Sequence, residues 1–263
     1  MKTAGEGPVE PIRRDPERVV DKPLVPKKKK RKEVAKHARH IHNVVRSGPR
    51  GAEMGNPGRT PETPYGVDRN GTPYTPKSFV PRSDLRDANL SYVEIGNMAC
   101  PESDFSNANM RKIRIEKANL YRASLRGVDL YGADLTRVNF KEADLSYANL
   151  TGASLVRADL SRANLTGADL SGANCRGARF QEADLTEAIL SEADFPMAFF
   201  RKAFLGKAIL HRTNLGGANL FEAILENCSF RDTYYTDETI KPERTYQWPP
   251  GAVKKKIVRR RDD

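Results

Sequence analysis

From Leu85 onward, every fifth residue is apolar and almost always large. The series begins Leu85, Leu90, Ile95, Cys100, Phe105, Met110 and Ile115, and ends Leu215, Leu220, Leu225 and Phe230, thirty positions without an insertion. Two residues before each of these, alanine occupies 21 of the thirty places, and the rest are small or apolar apart from Ser83, Ser103 and Thr213. The residue just before each large one is Asp or Asn in 18 of the thirty cases.

An α-helix advances about 100° per residue, so a period of five would spread its apolar residues around the whole cylinder. A strand alternates faces, so an odd period would turn every second leucine into water. A backbone that turns a corner every five residues satisfies the pattern, with one large and one small residue pointing inward on each side. Four sides close a square coil of about twenty residues, and such coils stack at about 4.8 Å, the strand spacing. Residues 83–230 therefore predict an all-β, parallel β-helix of about seven coils, roughly 35 Å long. Leu85, Phe105, Leu125, Leu145 and Leu165 fall in one inner ladder, and Cys100, Leu120, Phe140, Leu160 and Phe180 in another. One coil cannot bury its own faces, so stability needs many of them.

The repeated unit Ala-Asp/Asn-Leu-X-X, seen in Ala133-Asp134-Leu135-Thr136-Arg137 and Ala168-Asp169-Leu170-Ser171-Gly172, resembles the pentapeptide-repeat proteins. The resemblance implies a right-handed quadrilateral β-helix over residues 83–230. Some members of that family bind DNA gyrase by imitating the shape and negative charge of duplex DNA, and a DNA-mimicking gyrase or topoisomerase modulator is accordingly one expected function.

Toward the C-terminal end, five positions that are normally outward and polar are apolar: Ile189, Phe199, Phe204, Ile209 and Ile224. Ile189 stacks with Ile209 in this register, and Phe204 with Ile224. A contiguous exposed apolar patch marks an interaction site. It is either an interface for a protein partner or a second copy, or a surface covered by the C-terminal segment, whose Tyr234, Tyr235, Tyr246 and Trp248 are suitable covers. The last coil of an open solenoid also needs a cap, and residues 231–250 are the candidate.

Charge divides the chain sharply. Residues 1–82 carry 19 Lys/Arg against 9 Asp/Glu, residues 83–230 carry 17 against 19, and residues 231–263 carry 9 against 6, giving net charges of +10, −2 and +3. Residues 1–25 are expected to be disordered. Lys27, Lys28, Lys29, Lys30, Arg31 and Lys32 form a basic run that resembles a nuclear localisation signal and also suits nucleic acid. Val34, Ala38, Ile41 and Val45 then share one helical face, with Lys36, Arg39 and Arg46 on the rest of the surface, so residues 26–47 read as a basic helix that Gly48-Pro49 ends. Its small apolar face suits phosphates or an acidic protein groove better than membrane insertion; a tail that only confers solubility has the same composition. Residues 48–82 are a Gly/Pro-rich linker. Lys254, Lys255, Lys256, Arg259, Arg260 and Arg261 make a second basic tail within residues 251–263, and linked contacts would reinforce one another.

Catalytic chemistry has no foothold in the sequence. There is no Gly-rich phosphate loop, no His-Glu-x-x-His, no nucleophile elbow and no Cys-x-x-Cys. The carboxylates are spread by periodicity, so neither an enzyme nor a small-molecule substrate or cofactor is expected. His37, His40 and His42 have only Glu33 nearby to complete a metal site, and none is expected. Cys100, Cys175 and Cys228 all fall inward and read as small buried hydrophobes. No apolar run reaches a membrane-spanning length and no secretory signal opens the chain, which points to the cytoplasm, or to the nucleus in a eukaryotic host. The expectation is a non-enzymatic scaffold: a solenoid that presents a protein-binding surface, with basic arms that dock to nucleic acid or a nucleoprotein assembly. A structural or decoration subunit of a larger particle, such as a viral capsid, is the third class the patch allows.

Overall fold

The structure is a computed structural model that describes residues 78–255. The expected disordered segment, the basic helix, most of the linker and the tail beyond residue 255 lie outside the described residues.

The period of five becomes four-sided coils. Parallel β-bridges join residues twenty apart on every side: Asp84 with Asp104, Asn89 with Asn109, Glu94 with Arg114, and Ala99 with Asn119. Those pairs define sides 1 to 4, and the same bridges recur at each coil above. Inside, the large residues and the alanines two places before them are almost all fully buried, forming one continuous core from Phe79 to Ala223. Alanine suits its position because the adjacent side already sends a leucine or phenylalanine inward. Side 4 shows the stacking directly: the Phe180 and Phe200 rings lie 5.0 Å apart and nearly parallel, and Phe195 meets both edge-on.

Each corner is a tight turn. The amide of Ala88 donates to Leu85 O, and Asp87 between them has a φ of 56°. A positive φ at the third turn residue is the type II geometry, which favours glycine. Gly167 shows the need: a Cβ there would stand 2.9 Å from the Tyr147 ring of the coil below. The Asp or Asn before each large residue closes the turn that follows, as Asp104 Oδ1 accepts from the Ser106 amide at 2.9 Å. Along the stack the same side chains bond one another, as Asn149 Nδ2 does with Asp129 Oδ1.

The polar residues at the alanine position from Ser103 onward have a shared explanation, whereas Ser83 bonds locally to Val80 O. Ser103 donates to Val80 O, Thr213 to Leu190 O, Cys228 Sγ to Leu205 O and Thr233 to Leu210 O, each reaching a carbonyl 23 residues earlier. A buried hydroxyl is tolerable only when paired, and the coil below supplies an acceptor at a fixed place.

Coil pairing continues past residue 230, through Asn214 with Tyr234 and Asn219 with Ile240. The last pair is twenty-one residues apart. One residue has been added between Tyr235 and Ile240, where Thr239 Oγ1 donates to Leu215 O and accepts from the Thr236 amide. Strand β1 (Thr233–Tyr235) then pairs in parallel with β2 (Ala252–Lys254). Trp248 stacks on Tyr235 at 4.4 Å and meets Phe230 and Tyr246 edge-on, over the open end of the core.

Candidate interaction surfaces

The described residues offer surfaces rather than a cleft. A shallow depression of about 270 Å³ is lined by Ser191, Glu192, His211, Arg212 and Arg231, where Arg212 already pairs with Glu192 at 3.0 Å. No three His, Cys, Asp or Glu side chains among the described residues converge on a point that could hold a metal ion. Burial pushes the Cys100 and Cys228 thiols up to about 11, and Cys175 higher still. A thiol so protonated is a poor nucleophile and ligand.

The five apolar outward residues spread over three adjoining sides. Phe199 is on side 4, Phe204 and Ile224 are bridged on side 1, and Ile189 and Ile209 are bridged on side 2. Phe199, Phe204 and Ile224 keep 42%, 46% and 41% of their surface exposed, while Ile189 and Ile209 are half-buried. Tyr235 and Tyr246 gather around Trp248 and Phe230 instead of lying on this patch, and Tyr234 stands on side 3 against Lys255. Met197 and Phe221, also exposed, extend it along the neighbouring corners.

Of the basic residues that the sequence singles out, Lys254 and Lys255 lie within the described residues. Lys254 Nζ is 2.5 Å from Asp237 Oδ1, and that hydrogen bond holds its ammonium above the usual lysine range. Lys255 Nζ sits 3.5 Å from the centre of the Tyr234 ring. Lys27, Lys28, Lys29, Lys30, Arg31, Lys32, Lys36, Arg39, Arg46, Lys256, Arg259, Arg260 and Arg261 fall outside the described residues.

The corners carry charge in an order that the linear sequence hides. The corner between sides 4 and 1 alternates sign at each coil, and four pairs close along it: Arg82 with Glu102, Arg122 with Glu142, Arg162 with Glu182, and Lys202 with Glu222. The corner between sides 2 and 3 pairs cations with rings, Arg111 over Tyr131 at 4.4 Å and Lys112 over Tyr92 at 5.6 Å. The corner between sides 3 and 4 places Lys117, Arg137, Arg157 and Arg176 in consecutive coils, all exposed. The basic residues that crowd together in sequence from Arg111 to Arg122 are thus dispersed over three corners and one side. The column on the third corner is missed by a linear reading, although its interval of twenty is present in the numbers 117, 137 and 157.

The family model for pentapeptide repeats matches eight copies, over residues 103–141, 139–174, 168–206 and 201–234. Comparison with curated proteins gives no match. Among solved structures, HetL, a pentapeptide repeat protein involved in heterocyst differentiation regulation in the cyanobacterium Nostoc, is 31% identical over 63% of this chain and 83% of its own, with a TM-score of 0.47. QnrB1, a plasmid-mediated fluoroquinolone resistance protein, is 17% identical over 62% of this chain and 93% of its own, with a TM-score of 0.49. A pentapeptide repeat protein of the Arabidopsis thaliana thylakoid lumen is 25% identical over 48% of this chain and 76% of its own, with a TM-score of 0.19. Matched repeats over residues 103–234, on a backbone that closes four sides every twenty residues, make this chain a member of the pentapeptide repeat family, whose proteins form right-handed quadrilateral β-helices.

Proposed function

We propose that this protein is a non-enzymatic scaffold. Its basic arms dock to nucleic acid or to a nucleoprotein assembly, and its coils hold a protein partner. The observation that carries the reading is the division of charge, +10 before residue 83, −2 over residues 83–230 and +3 after them. A chain that needed only solubility would gain nothing from keeping its excess of cations out of the coils. Clustered cations attract phosphates through release of counterions, with no folded pocket required. The exposed Phe199, Phe204 and Ile224 supply the second half, because apolar side chains on the outside of a solenoid are the usual mark of a docking surface.

The test is a gel-shift titration of duplex DNA with the full chain and with a variant in which Lys27, Lys28, Lys29, Lys30, Arg31 and Lys32 are all changed to Gln. The proposal expects binding by the first and at least a tenfold loss in the second. Equal binding by both would remove the first arm from the account.

Imitation of DNA is the competing reading within the family. It requires an acidic coil surface, and residues 83–230 are close to neutral with an exposed column of cations on one corner. A gyrase supercoiling assay separates the two: inhibition at micromolar protein favours imitation, and no effect favours the scaffold. Association of copies through the patch is read by light scattering, where Phe204→Asp should abolish any concentration-dependent growth in mass.

A further inference from the structure

We infer that the coils themselves carry a phosphate-binding track: the column Lys117, Arg137, Arg157 and Arg176 on the corner between sides 3 and 4, which would lie along the backbone of duplex DNA. This goes beyond the proposed role of the arms, because it assigns a contact to the part of the chain with no excess of positive charge.

The first ground is pairing. Arg82, Arg86, Arg111, Arg122, Arg162, Arg212, Lys202 and Lys207 each sit within 4 Å of a carboxylate oxygen. Lys117 touches only its neighbour Glu116, at 3.4 Å. Arg137, Arg157 and Arg176 make no ion pair among the described residues. On the corner between sides 4 and 1 four cations pair with a carboxylate of the next coil, whereas the four cations of this corner, in consecutive coils, make no such cross-coil pair among the described residues.

The second ground is repulsion. Bridged coils stack at about 4.8 Å, so the column places four like charges along about 14 Å. The corner between sides 4 and 1 shows the arrangement that relieves such repulsion, strict alternation of sign. Lys117, Arg137 and Arg157 stand in register and Arg176 one residue aside, before Gly177; like charges gathered in this way raise the local potential and are relieved by an anion that binds along them.

The third ground is chemistry. Three of the four residues are arginine, whose planar guanidinium meets a phosphate through two parallel hydrogen bonds. Arg179, on side 4 and 3.9 Å from Asp159, borders the column. None of the exposed large apolar side chains among the described residues stands on this corner between Lys117 and Arg176; the first is Met197, one coil beyond. A protein partner would need an apolar anchor at the centre of its footprint. Phosphate contacts need none, and one strand of duplex DNA offers about one charge per 3.4 Å along the axis, closer than the spacing of about 4.8 Å between successive coils.

The experiment uses the full chain and duplex DNA, with binding measured from low to moderate salt. Arg137→Gln, Arg157→Gln and Arg176→Gln are combined in one variant. The control combines Arg122→Gln, Arg162→Gln and Arg212→Gln, three paired arginines on other corners, with the same loss of charge. The expected result is a salt slope that falls by about three units in the first variant, near one for each phosphate left without its cation, and by less than one in the control. The corresponding triple lysine variant should keep the slope, which separates charge from any effect on folding. An equal fall in both variants, or no fall in the first, overturns the track. The variant lacking the charges of Lys27 to Lys32 is run alongside. If it loses slope while the column variant does not, the arms stand and the track fails; the reverse result keeps the track and removes the arms. Absence of binding by the full chain overturns both.

Discussion

Substituting Leu150 tests the register that everything else rests on. Its side chain is fully buried on side 2, between Leu130 and Leu170 of the adjoining coils, and its amide donates to Asp169 O at 2.7 Å. Leu150→Ala deletes three carbons from a core whose ladders continue rigidly above and below, so collapse around the gap is limited. A cost of about 3 kcal/mol follows, in the middle of the range for buried leucines. For a folded unit of this size that corresponds to a drop of about 6–12 °C in melting temperature. Leu150→Asp adds the cost of a carboxylate with no partner, for a total of about 5 kcal/mol or more, comparable with the whole stability of many domains. The next residue provides the contrast. Thr151 is outward at a corner, with its hydroxyl bonded only to Asn149 Oδ1, so Thr151→Asp should stay within about 1 kcal/mol. Thermal and urea unfolding, followed by far-ultraviolet circular dichroism, read both. If Leu150→Asp melts with the parent protein, or if Thr151→Asp falls as far, position five is not the inward position and the coil assignment fails.

Phe180→Ala should cost about 4 kcal/mol, because it removes the ring stacked on Phe200 and met edge-on by Phe195; calorimetry checks it. Gly167→Ala should destabilise by about 1 kcal/mol or more, since residue 167 has a φ of 66° and the new Cβ meets the Tyr147 ring; the shift of Tyr147 is visible in its proton resonances. Cys100 should resist thiol reagents at pH 8 until the chain unfolds, as burial lifts its thiol from about 9 to about 11. A raised thiol pKa in the folded state means that the unfolded chain loses its proton first. The stability from Cys100 is then complete below pH 9 and is lost as pH rises toward 11; Cys100→Ala should flatten that part of the pH–stability curve.

The solenoid is legible in sequence because its period is a direct geometric consequence of the corners. Leu85 to Phe230 fix what faces inward without any long-range information. Ser103 and Thr213, polar at an inward place, are explained only when the coil 23 residues earlier is known to offer a carbonyl. The added residue before Ile240 is equally hidden, because Thr236 and Thr239 absorb it through local hydrogen bonds without an apolar signal. The apolar positions 189, 199, 204, 209 and 224 are readable as a set, but their exposure depends on where Trp248 goes. Its ring has the choice of the patch or the open end of the core, and it takes the latter beside Phe230. The Lys117 to Arg176 column requires the coil length of twenty before it can be seen at all, since its members are separated in sequence by acidic and apolar residues.

The most direct test of the account is the salt dependence of duplex DNA binding by the full chain. If the chain docks through its clustered cations, the logarithm of the binding constant falls linearly with the logarithm of salt concentration. Changing Lys27, Lys28, Lys29, Lys30, Arg31 and Lys32 to Gln then lowers the slope by about five units. A full chain that does not bind duplex DNA at low salt, or binds with a slope near zero, contradicts the account.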